Sequence, residues 1–429
     1  MLDSTGTRQL AYVVFIDGIE PIPGYDRVEH ALIGGWRVIV QKDQFDVGDP
    51  AIYFEIDSRV PKDRECFAFL EKRNYKVKTL KMCKVISQGL LMHANDFGWQ
   101  IKEQIHIDHK DGSEERIPYI VDDKGIEHYV DDESRFLTSI LGVTYADDED
   151  NVRKAKDIDP NAKYLSMKAR HKKFFSNKFI KKMWRYTWFR KLCFFFMGKK
   201  KDKPRGFPTK FPFVHKSDEE RIENCSWYLN DQEHTWIKTV KIDGTSSLYV
   251  LERLPRNKRE YYVCSRNVRQ ADEKQETYHG ENVYWSVEFK YHIRDFLEAM
   301  LKEHPDWSYV AIQGETAGVG ETGTKIQGDP HKFGELRFFA YNFIDSVKGR
   351  WNSIKARDLL AKYGIEFVPI VNESYILPND LNTFKLEADG DCEAPGAHGL
   401  REGYVYRRTD DCNISFKNVS NKYLLKEGK

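Results

Sequence analysis

Lys241-Ile242-Asp243-Gly244 is the stretch from which the fold of this protein follows. It lies between two β-rich runs, residues 235–241 and 247–251, and Asp-Gly is a dipeptide typical of tight turns. The pattern therefore predicts a strand that ends at a lysine, followed by a sharp turn that projects the lysine amine into a pocket.

An amine in that position suits covalent chemistry if it can lose its proton. A free lysine has a pKa of about 10.4, so almost none of it is neutral at pH 7. Burial and a nearby positive charge lower the pKa by a few units, and lysine then acts as a nucleophile. Taken alone, the four residues also fit an ordinary β-hairpin, so the interpretation depends on the motifs that follow.

Five further motifs follow Lys241 in a fixed order. They are Ser265-Arg266-Asn267, Gln313-Gly314-Glu315, Phe339-Ala340-Tyr341-Asn342-Phe343, Glu402-Gly403-Tyr404-Val405 and Ser415-Phe416-Lys417. Together with Lys241 they resemble the ordered motifs of the covalent nucleotidyltransferases, the superfamily of polynucleotide ligases and capping enzymes. A GxGxxG run at residues 318–323 is a decoy, because no βαβ pattern surrounds it; it is interpreted as a Gly-rich turn after the Glu315 strand.

Other segments narrow the resemblance to ATP-dependent RNA ligases of the family-five type. Residues 315–320 and 326–328 resemble the RNA-ligase form of the acidic strand, and residues 216–224 resemble a segment that precedes the nucleophile in such enzymes. Residues 35–40, 47–49, 53–58 and 86–89 resemble their N-terminal OB domain. DNA ligases and capping enzymes carry an OB domain after the last motif, whereas only twelve residues follow Lys417 here.

The expected fold class is α+β. An N-terminal OB-like β-barrel at residues 1–100 is followed by an acidic connector and a basic amphipathic insertion at residues 101–205. Residues 206–429 form a nucleotidyltransferase domain of antiparallel sheets with flanking helices. Short β-rich runs at 10–16, 36–40, 50–56, 77–85 and 89–93 support the barrel. In the second domain we predict strands at 310–314, 337–344, 404–407 and 414–417, one helix over 285–303, and a helix opened by a capping box at 217–220.

The resemblance implies a role for each candidate site residue. Lys241 attacks the α-phosphate of ATP, and Lys417 contacts that phosphate and lowers the pKa of Lys241. Asp243 fixes the turn, and two roles stay open for it: contact with metal or substrate, and a purely structural one. Arg266 and Glu315 match positions that hold the ribose hydroxyls. A structural ion pair remains an alternative for both of them.

Two more positions complete the implied site. Glu402 is the expected ligand of Mg²⁺ or Mn²⁺, because hard cations take oxygen ligands. Tyr341 matches the aromatic that stacks on adenine, and period two places Phe339, Tyr341 and Phe343 on one strand face, where a core role is the alternative. Related enzymes often carry a second lysine two places after Lys417; here Val419 stands there, and whether Lys422 replaces it stays open.

Charge is strongly segregated along the chain. Residues 163–205 carry 16 Lys/Arg and one acidic residue, while residues 107–160 carry 16 Asp/Glu and 7 Lys/Arg. In residues 163–205, Phe175, Phe179 and Met183 are four residues apart, which predicts a basic amphipathic helix. Three roles stay open for this helix: contact with nucleic-acid phosphates, contact with an anionic membrane surface, or a basic face exposed to solvent. Seven scattered cysteines without a CxxC pair, and no signal-peptide pattern, predict a cytoplasmic protein without membrane insertion.

The function that the resemblance implies is the sealing of 3′-hydroxyl/5′-phosphate breaks, in duplex RNA or an RNA/DNA hybrid, through a lysyl-AMP. The expected partners are ATP, a divalent metal and RNA or an RNA-containing duplex, and the expected state is a monomer. Two rivals stay open: an RNA-capping guanylyltransferase, and a non-catalytic nucleic-acid-binding protein.

Overall fold

The structure is a computed structural model. It describes residues 1–3, 7–107, 114–128, 136–145, 174, 180, 183–184, 186–197, 205–206, 218–256, 258–266, 268–270 and 282–427. The chain divides into two compact units, Met1–Ala146 with Gly206–Lys429, and Asp147–Arg205. No described helix has the length and apolar character needed to cross a membrane.

The N-terminal domain is built from short antiparallel strands. Alternation along the fourth strand shows why they fold together: Trp36, Val38 and Val40 point into the core while the residues between them are half-buried. The order in the two main sheets is β1-β5-β9 and β2-β3-β4, and β7 pairs with β8. The strands are β1 Ala11–Phe15, β2 Gly18–Pro21, β3 Val28–Ile33, β4 Trp36–Gln41, β5 Pro50–Phe54, β6 Ser58–Arg59, β7 Thr79–Met82, β8 Val85–Gln88 and β9 Leu90–Met92.

The run 77–85 is not the single strand that the sequence suggests. It forms a hairpin, in which β7 ends at Met82 and β8 begins at Val85. Cys83 and Lys84 both have positive φ, 49° and 64°, as a two-residue hairpin turn requires. Neither residue is Gly or Asn, so the usual sequence signal for this turn is missing.

The described residues between 100 and 145 form regular structure, where we expected an extended connector or a peripheral insertion. A three-stranded antiparallel sheet forms first, and a short helix follows. Leu137, Leu141 and Val143 are buried in the same hydrophobic cluster as the N-terminal strands. The boundary near residue 100 stays a prediction. The elements are β10 Gln100–Ile107, β11 Glu114–Val121, β12 Glu127–His128, α1 Thr138–Leu141 and β13 Thr144–Tyr145.

The basic segment 163–205 falls largely outside the described residues, among them Phe175 and Phe179 of the predicted stripe. Its described helix is α2, Thr187–Met197, in which Trp188 is exposed and Cys193 is buried. A two-residue strand, β14, follows at Arg205–Gly206.

Two β-sheets form the body of the C-terminal domain. One contains, in order, β19, β18, β17, β20, β21 and β22; the other has the order β15-β25-β24-β16-β23. The strands are β15 Glu220–Arg221, β16 Trp236–Lys241, β17 Thr245–Leu254, β18 Lys258–Ser265, β19 Val268–Gln270, β20 Tyr309–Ala317, β21 Arg337–Asp345, β22 Gly349–Arg350, β23 Ile370–Tyr375, β24 Gly403–Arg408 and β25 Ser415–Val419. The helices are α3 Val283–Tyr291, α4 Ile293–Glu303, α5 Ser353–Ala361, α6 Leu381–Glu387 and α7 Asn421–Glu427.

The predicted helix over 285–303 is two helices. His292 separates α3 from α4 with φ 50° and ψ 42°, a left-handed conformation that ends one helix and begins another. The carboxylate of Glu288 accepts the backbone N–H of Arg294, at 3.1 Å from Oε2, and so satisfies a donor at the start of α4. Apolar residues occur on both sides of His292 and neither Gly nor Pro stands between the two helices, so the sequence carries no signal for the break.

The predicted capping box at 217–220 is wrong as well. Glu220 and Arg221 form β15, which pairs in parallel with β25, and a 3-10 turn at Ile222–Asn224 follows. The acidic side chains that suggested a helix start make ion pairs instead: Glu219 with Arg407 and Asp218 with Lys417. Ser217 lies outside the described residues.

A β-bulge in β21 changes which aromatic residues share a face. Gln313 pairs with Asn342 but the next residue, Gly314, pairs with Ala340, so Tyr341 is the extra residue of the bulge. Phe339 and Tyr341 therefore face one hydrophobic cluster and Phe343 the other. The period-two prediction that all three share a face is wrong, because it assumes an unbroken strand.

The N-terminal domain is joined to the C-terminal domain through the 218–224 segment. Trp36 Nε1 donates a hydrogen bond to Asn224 Oδ1 at 2.6 Å, and Gly35 N donates to Glu223 O at 2.8 Å. A Cβ on Gly35 would lie 2.5 Å from the Cα of Glu223, so only glycine permits this approach. The site described next is built on this connection.

Candidate active site

Lys241 lies at the point where the chain passes from one sheet to the other. It is the last residue of β16, opposite Gly403 of β24, and β17 begins four residues later in the second sheet. The turn between them depends on Gly244, since a Cβ there would stand 2.3 Å from the carbonyl oxygen of Thr316. The strand, the turn and the projecting lysine are therefore as predicted.

Glu402 is the ion-pair partner of Lys241, with Nζ 2.7 Å from Oε2. Burial by itself lowers the pKa of Lys241, but the attraction of Glu402 outweighs burial and raises the pKa above its usual range. Lys417 and Lys241 act on each other as like charges, so the expected lowering of the Lys241 pKa by Lys417 stays a prediction; in this arrangement the carboxylate in direct contact with the amine decides the net direction.

Asp243 is held from two sides. Its backbone N–H donates to Nε2 of His331 at 2.8 Å, and its Oδ2 accepts the hydroxyl of Tyr423 at 2.6 Å. His331 is fully buried and donates from Nδ1 to the carbonyl of Leu400 at 3.0 Å, which fixes its tautomer. Burial lowers the pKa of His331. The sharp turn that the sequence predicts is thus held by hydrogen bonds to residues that are distant in sequence.

Glu315 stands on β20 beside the lysine. Burial, together with the carboxylates of Asp243 and Glu402, raises its pKa to about 8 against the opposing effect of Lys241. Three carboxyl groups therefore act on one another around a single amine, and Glu315 keeps its proton at neutral pH.

Lys417 and Arg266 share one acidic partner, Asp218. The distances to the carboxylate oxygens are 2.7 Å from Lys417 Nζ and 3.5 Å from Arg266 Nη2, and Arg8 Nε of the N-terminal domain lies at 2.9 Å. Burial lowers the pKa of Lys417 to about 8 although Asp218 opposes the effect. The three cations hold the pKa of Asp218 well below its usual range in spite of its burial.

Tyr341, at the bulge, is half-buried. Its hydroxyl and that of Ser246 are 3.0 Å apart, and its carbonyl accepts a hydrogen bond from Arg407 at 2.7 Å. The bulge turns this ring toward Ser246 on β17, and so toward the strand that follows the Lys241 turn.

The residues named from the sequence fall into two groups. Lys241, Asp243, Glu315 and Glu402 act on one another directly, and Lys417 with Arg266 gathers around Asp218. Val419, at the position of the second lysine, is buried in the N-terminal hydrophobic cluster, while Lys422 is exposed on α7.

Sequence reasoning missed four contributors: Arg8, Asp218, His331 and Tyr423. Asp218 lies in residues 216–224, a segment that the sequence marks, but the local pattern there predicts a helix cap and gives no sign of the ion pair with Lys417. The other three come from distant positions, and no local pattern marks them. The run 318–323 is a turn as predicted, since β20 ends at Ala317 and Gly318 has φ 90°.

A divalent cation was expected at Glu402. Among the described residues, no group of three or more His, Cys, Asp or Glu side chains is arranged to hold a metal ion by itself. Burial raises the pKa of Glu315, and the nearby carboxylates of Asp243 and Glu402 add to the shift; a cation beside these oxygens would oppose both effects. The oxygen donors thus fit a hard cation that takes its remaining ligands from a substrate.

Comparison with known proteins identifies both domains. A family model described as an OB-fold domain matches residues 10–94, and one described as RNA ligase matches residues 234–424. No curated protein matches the sequence. Solved structures of a Naegleria gruberi RNA ligase are similar to this chain over 97–98% of its length. Their sequence identity of 20–22% shows that the fold is shared.

Three of those structures illustrate the similarity. The ligase with PPi has a TM-score of 0.65 at 22% identity, covering 97% of this chain and 98% of that one. A glutamate-to-alanine mutant with AMP and Mn has a TM-score of 0.63 at 20% identity, covering 98% and 100%. A lysine-to-alanine mutant with ATP and Mn has a TM-score of 0.64 at 20% identity, covering 98% and 100%.

The fold and the two family matches define a ligase-type domain behind a barrel domain: residues 234–424 match the RNA ligase model, and residues 10–94 match the OB-fold model. The resemblance inferred from the sequence motifs is thereby confirmed, and so is the predicted fold class.

Proposed function

We propose that the protein is an ATP-dependent RNA ligase that joins a 3′-hydroxyl to a 5′-phosphate through a lysyl-AMP. The observation that carries the proposal is the ion pair of Lys241 with Glu402, at 2.7 Å, at the junction of the two sheets of an RNA ligase domain. The Naegleria gruberi ligase structures with ATP and Mn support the choice of nucleotide.

In the first step the amine of Lys241 attacks the α-phosphorus of ATP. The ammonium first gives one proton to solvent; the bond from that phosphorus to the β-phosphate bridging oxygen then breaks as the P–N bond forms, pyrophosphate leaves, and the nitrogen releases a second proton and keeps the third. Because Glu402 stabilises the charged amine, the ion pair must weaken before attack.

Lys417 and Arg266 supply positive charge beside this reaction. Both cations already lie at one carboxylate, that of Asp218, so the region accommodates an anion between them. Lys417 would contact the α-phosphate, and Arg266 with Glu315 would hold the ribose hydroxyls. Tyr341 would stack on the adenine. Positioning and charge neutralisation are the main sources of rate in phosphoryl transfer.

Glu402 would hold the divalent metal, with Asp243 and Glu315 nearby. When bound there, Mg²⁺ or Mn²⁺ supplies positive charge that neutralises the phosphates and lowers the pKa of Lys241.

Two further transfers complete the reaction. An oxygen of the RNA 5′-phosphate attacks the lysyl-AMP phosphorus, so that the P–N bond breaks and a 5′–5′ pyrophosphate linkage forms. The 3′-hydroxyl then attacks the 5′-phosphorus, loses its proton, and releases AMP as the strand is sealed. The substrate is a break in duplex RNA or an RNA/DNA hybrid, and we expect the enzyme to act as a monomer in the cytoplasm.

The test is incubation with ATP that carries ³²P in the α-phosphate, together with a divalent metal, resolved on a denaturing gel. Wild type should give a labelled band at 50.4 kDa, and Lys241→Ala should give none. Lys238→Ala is the control on the same strand, because Lys238 pairs with Glu387, away from Glu402.

Other outcomes separate the rivals. Label from GTP in place of ATP would favour an RNA-capping guanylyltransferase. No label from either nucleotide with any divalent metal would leave a nucleic-acid-binding protein on a ligase scaffold and overturn the proposal. Label that persists in Lys241→Ala would show that another residue is the nucleophile.

A further inference from the structure

The C-terminal helix α7 lies between the core of the N-terminal domain and the turn that follows Lys241. Leu424 on this helix is 3% exposed and belongs to the hydrophobic cluster of the N-terminal domain, together with Trp36 and Tyr53. Its neighbour Tyr423 is fully buried and points to the turn, where its hydroxyl donates to Asp243. One turn of helix therefore touches both domains.

The contact between Tyr423 and Asp243 has the geometry of a charge-assisted hydrogen bond. The oxygens are 2.6 Å apart, within the range for a hydroxyl that donates to an ionised carboxylate. The Tyr423 ring also stacks on His331, with centroids 6.0 Å apart and planes at 19°. Since His331 accepts the backbone N–H of Asp243, both the main chain and the side chain of this residue are restrained.

Asp243 is two residues beyond the proposed nucleophile, and its charge acts on both Lys241 and Glu315. A rotation about its side-chain bonds would carry the carboxylate away from these groups. The hydroxyl of Tyr423 opposes that rotation, because a buried hydrogen bond to a charged group is stronger than one between neutral groups.

We propose that Tyr423 is a positioning residue of the adenylylation site, which orients the carboxylate of Asp243 from a helix anchored in the N-terminal domain. This inference rests on the proposed function. It gives α7 a role in catalysis although none of its side chains belongs to the ordered motifs.

Replacement by phenylalanine isolates the hydroxyl. Tyr423→Phe keeps the ring, its stacking on His331 and the anchor at Leu424, and removes only the donor. Tyr406→Phe is the matched control: Tyr406 is also fully buried, on β24, and its hydroxyl has no hydrogen-bond partner among the described residues.

The measurement is the rate of lysyl-AMP formation as a function of ATP concentration, with the thermal midpoint of each variant. In Tyr423→Phe the maximal rate should fall about tenfold, as expected for loss of a hydrogen bond to a charged group, while the KM for ATP stays within twofold. Tyr406→Phe should match wild type in both. A Tyr423→Phe rate within twofold of wild type, or a fall fully explained by a lower thermal midpoint, would overturn the proposal.

A double-mutant cycle shows whether Tyr423 acts through Asp243. In an Asp243→Ala background, Tyr423→Phe should have no further effect; a further tenfold loss would show that the hydroxyl acts on something else. Where Asp243→Ala gives too little label to measure, Asp243→Asn is used instead, since it keeps an acceptor without the charge. In that background Tyr423→Phe should lower the rate of lysyl-AMP formation by less than about tenfold. Absence of label in wild type would instead count against the proposed function itself.

Discussion

At the scale of single residues, the site is governed by carboxylates packed around one amine. Glu402 holds Lys241 charged, while Glu315 keeps its proton because burial and two neighbouring carboxylates oppose its ionisation. Such shifts arise from distances of a few ångströms between residues that are far apart in sequence. They also bear on stability, because a pKa that differs between the folded and unfolded chain links folding to pH.

Glu315 gives a pH prediction with a definite sign. Its folded-state pKa of about 8 lies above the ordinary value of 4.5, so the folded protein binds this proton more tightly than the unfolded chain does. The stabilisation is complete below pH 4.5 and is lost as the pH rises through 8. In urea unfolding, the free energy of wild type minus that of Glu315→Gln should fall by on the order of 2–4 kcal/mol between pH 5 and pH 8.

The difference between the two proteins removes the effect of other titrating groups, provided that they are unchanged by the substitution. A difference that stays flat over this range, or rises with pH, would contradict the assigned pKa of Glu315.

At the scale of elements, irregularities place the functional side chains. The bulge at Tyr341 turns one ring toward Ser246 while Phe343 stays in the opposite cluster. The break at His292 likewise divides one stretch without Gly or Pro into α3 and α4. Such features violate the simple period of a strand or helix, so a periodic pattern cannot predict them.

His292 offers a prediction about the α3–α4 break. His292 adopts a φ of 50° although it is not glycine. Its side chain is 78% exposed and pairs with Asp295 at 3.6 Å, an exposed ion pair whose removal costs little free energy of unfolding. His292→Gly should raise the free energy of unfolding by about 0.5–1 kcal/mol, since glycine adopts left-handed φ without strain.

Lys302→Gly, at an exposed position inside α4, is the control. It should lower the unfolding free energy by about 1 kcal/mol, because glycine weakens a regular helix. The unfolding free energy of each variant is measured by urea titration. Equal destabilisation of both variants would count against strain at His292.

At the scale of the whole molecule, the OB-fold domain completes the site of the ligase domain. Arg8 reaches across to Asp218, which in turn holds Lys417, and Arg8 also pairs with Glu55. Burial would raise the pKa of Glu55, but the amino terminus and Arg8 lower it to about 2. A buried charge network of this kind depends on each of its members.

Arg8→Ala should therefore be strongly destabilising. It leaves the buried carboxylates of Asp218 and Glu55 short of a cation, and we expect a loss of about 3–5 kcal/mol in unfolding free energy. Arg37→Ala in the same domain is the control. Its pair with Glu20, at 2.9 Å, is about 40% exposed and should contribute less than about 1 kcal/mol. Similar losses in the two variants would show that the Arg8 network does not stabilise the domain junction.

The sequence by itself determined the strand that ends at Lys241, the Asp243-Gly244 turn, the N-terminal OB domain and the order of motifs that marks an RNA ligase. These are local patterns, or linear arrangements of them, and so the chain displays them directly. Only the tertiary structure decided that Glu402 keeps Lys241 charged, that Asp218 gathers Lys417, Arg266 and Arg8, and that Tyr423 restrains Asp243. The physical reason is that charge interactions and burial depend on distances in space, and the residues that meet here lie about 50 to 210 positions apart in the sequence.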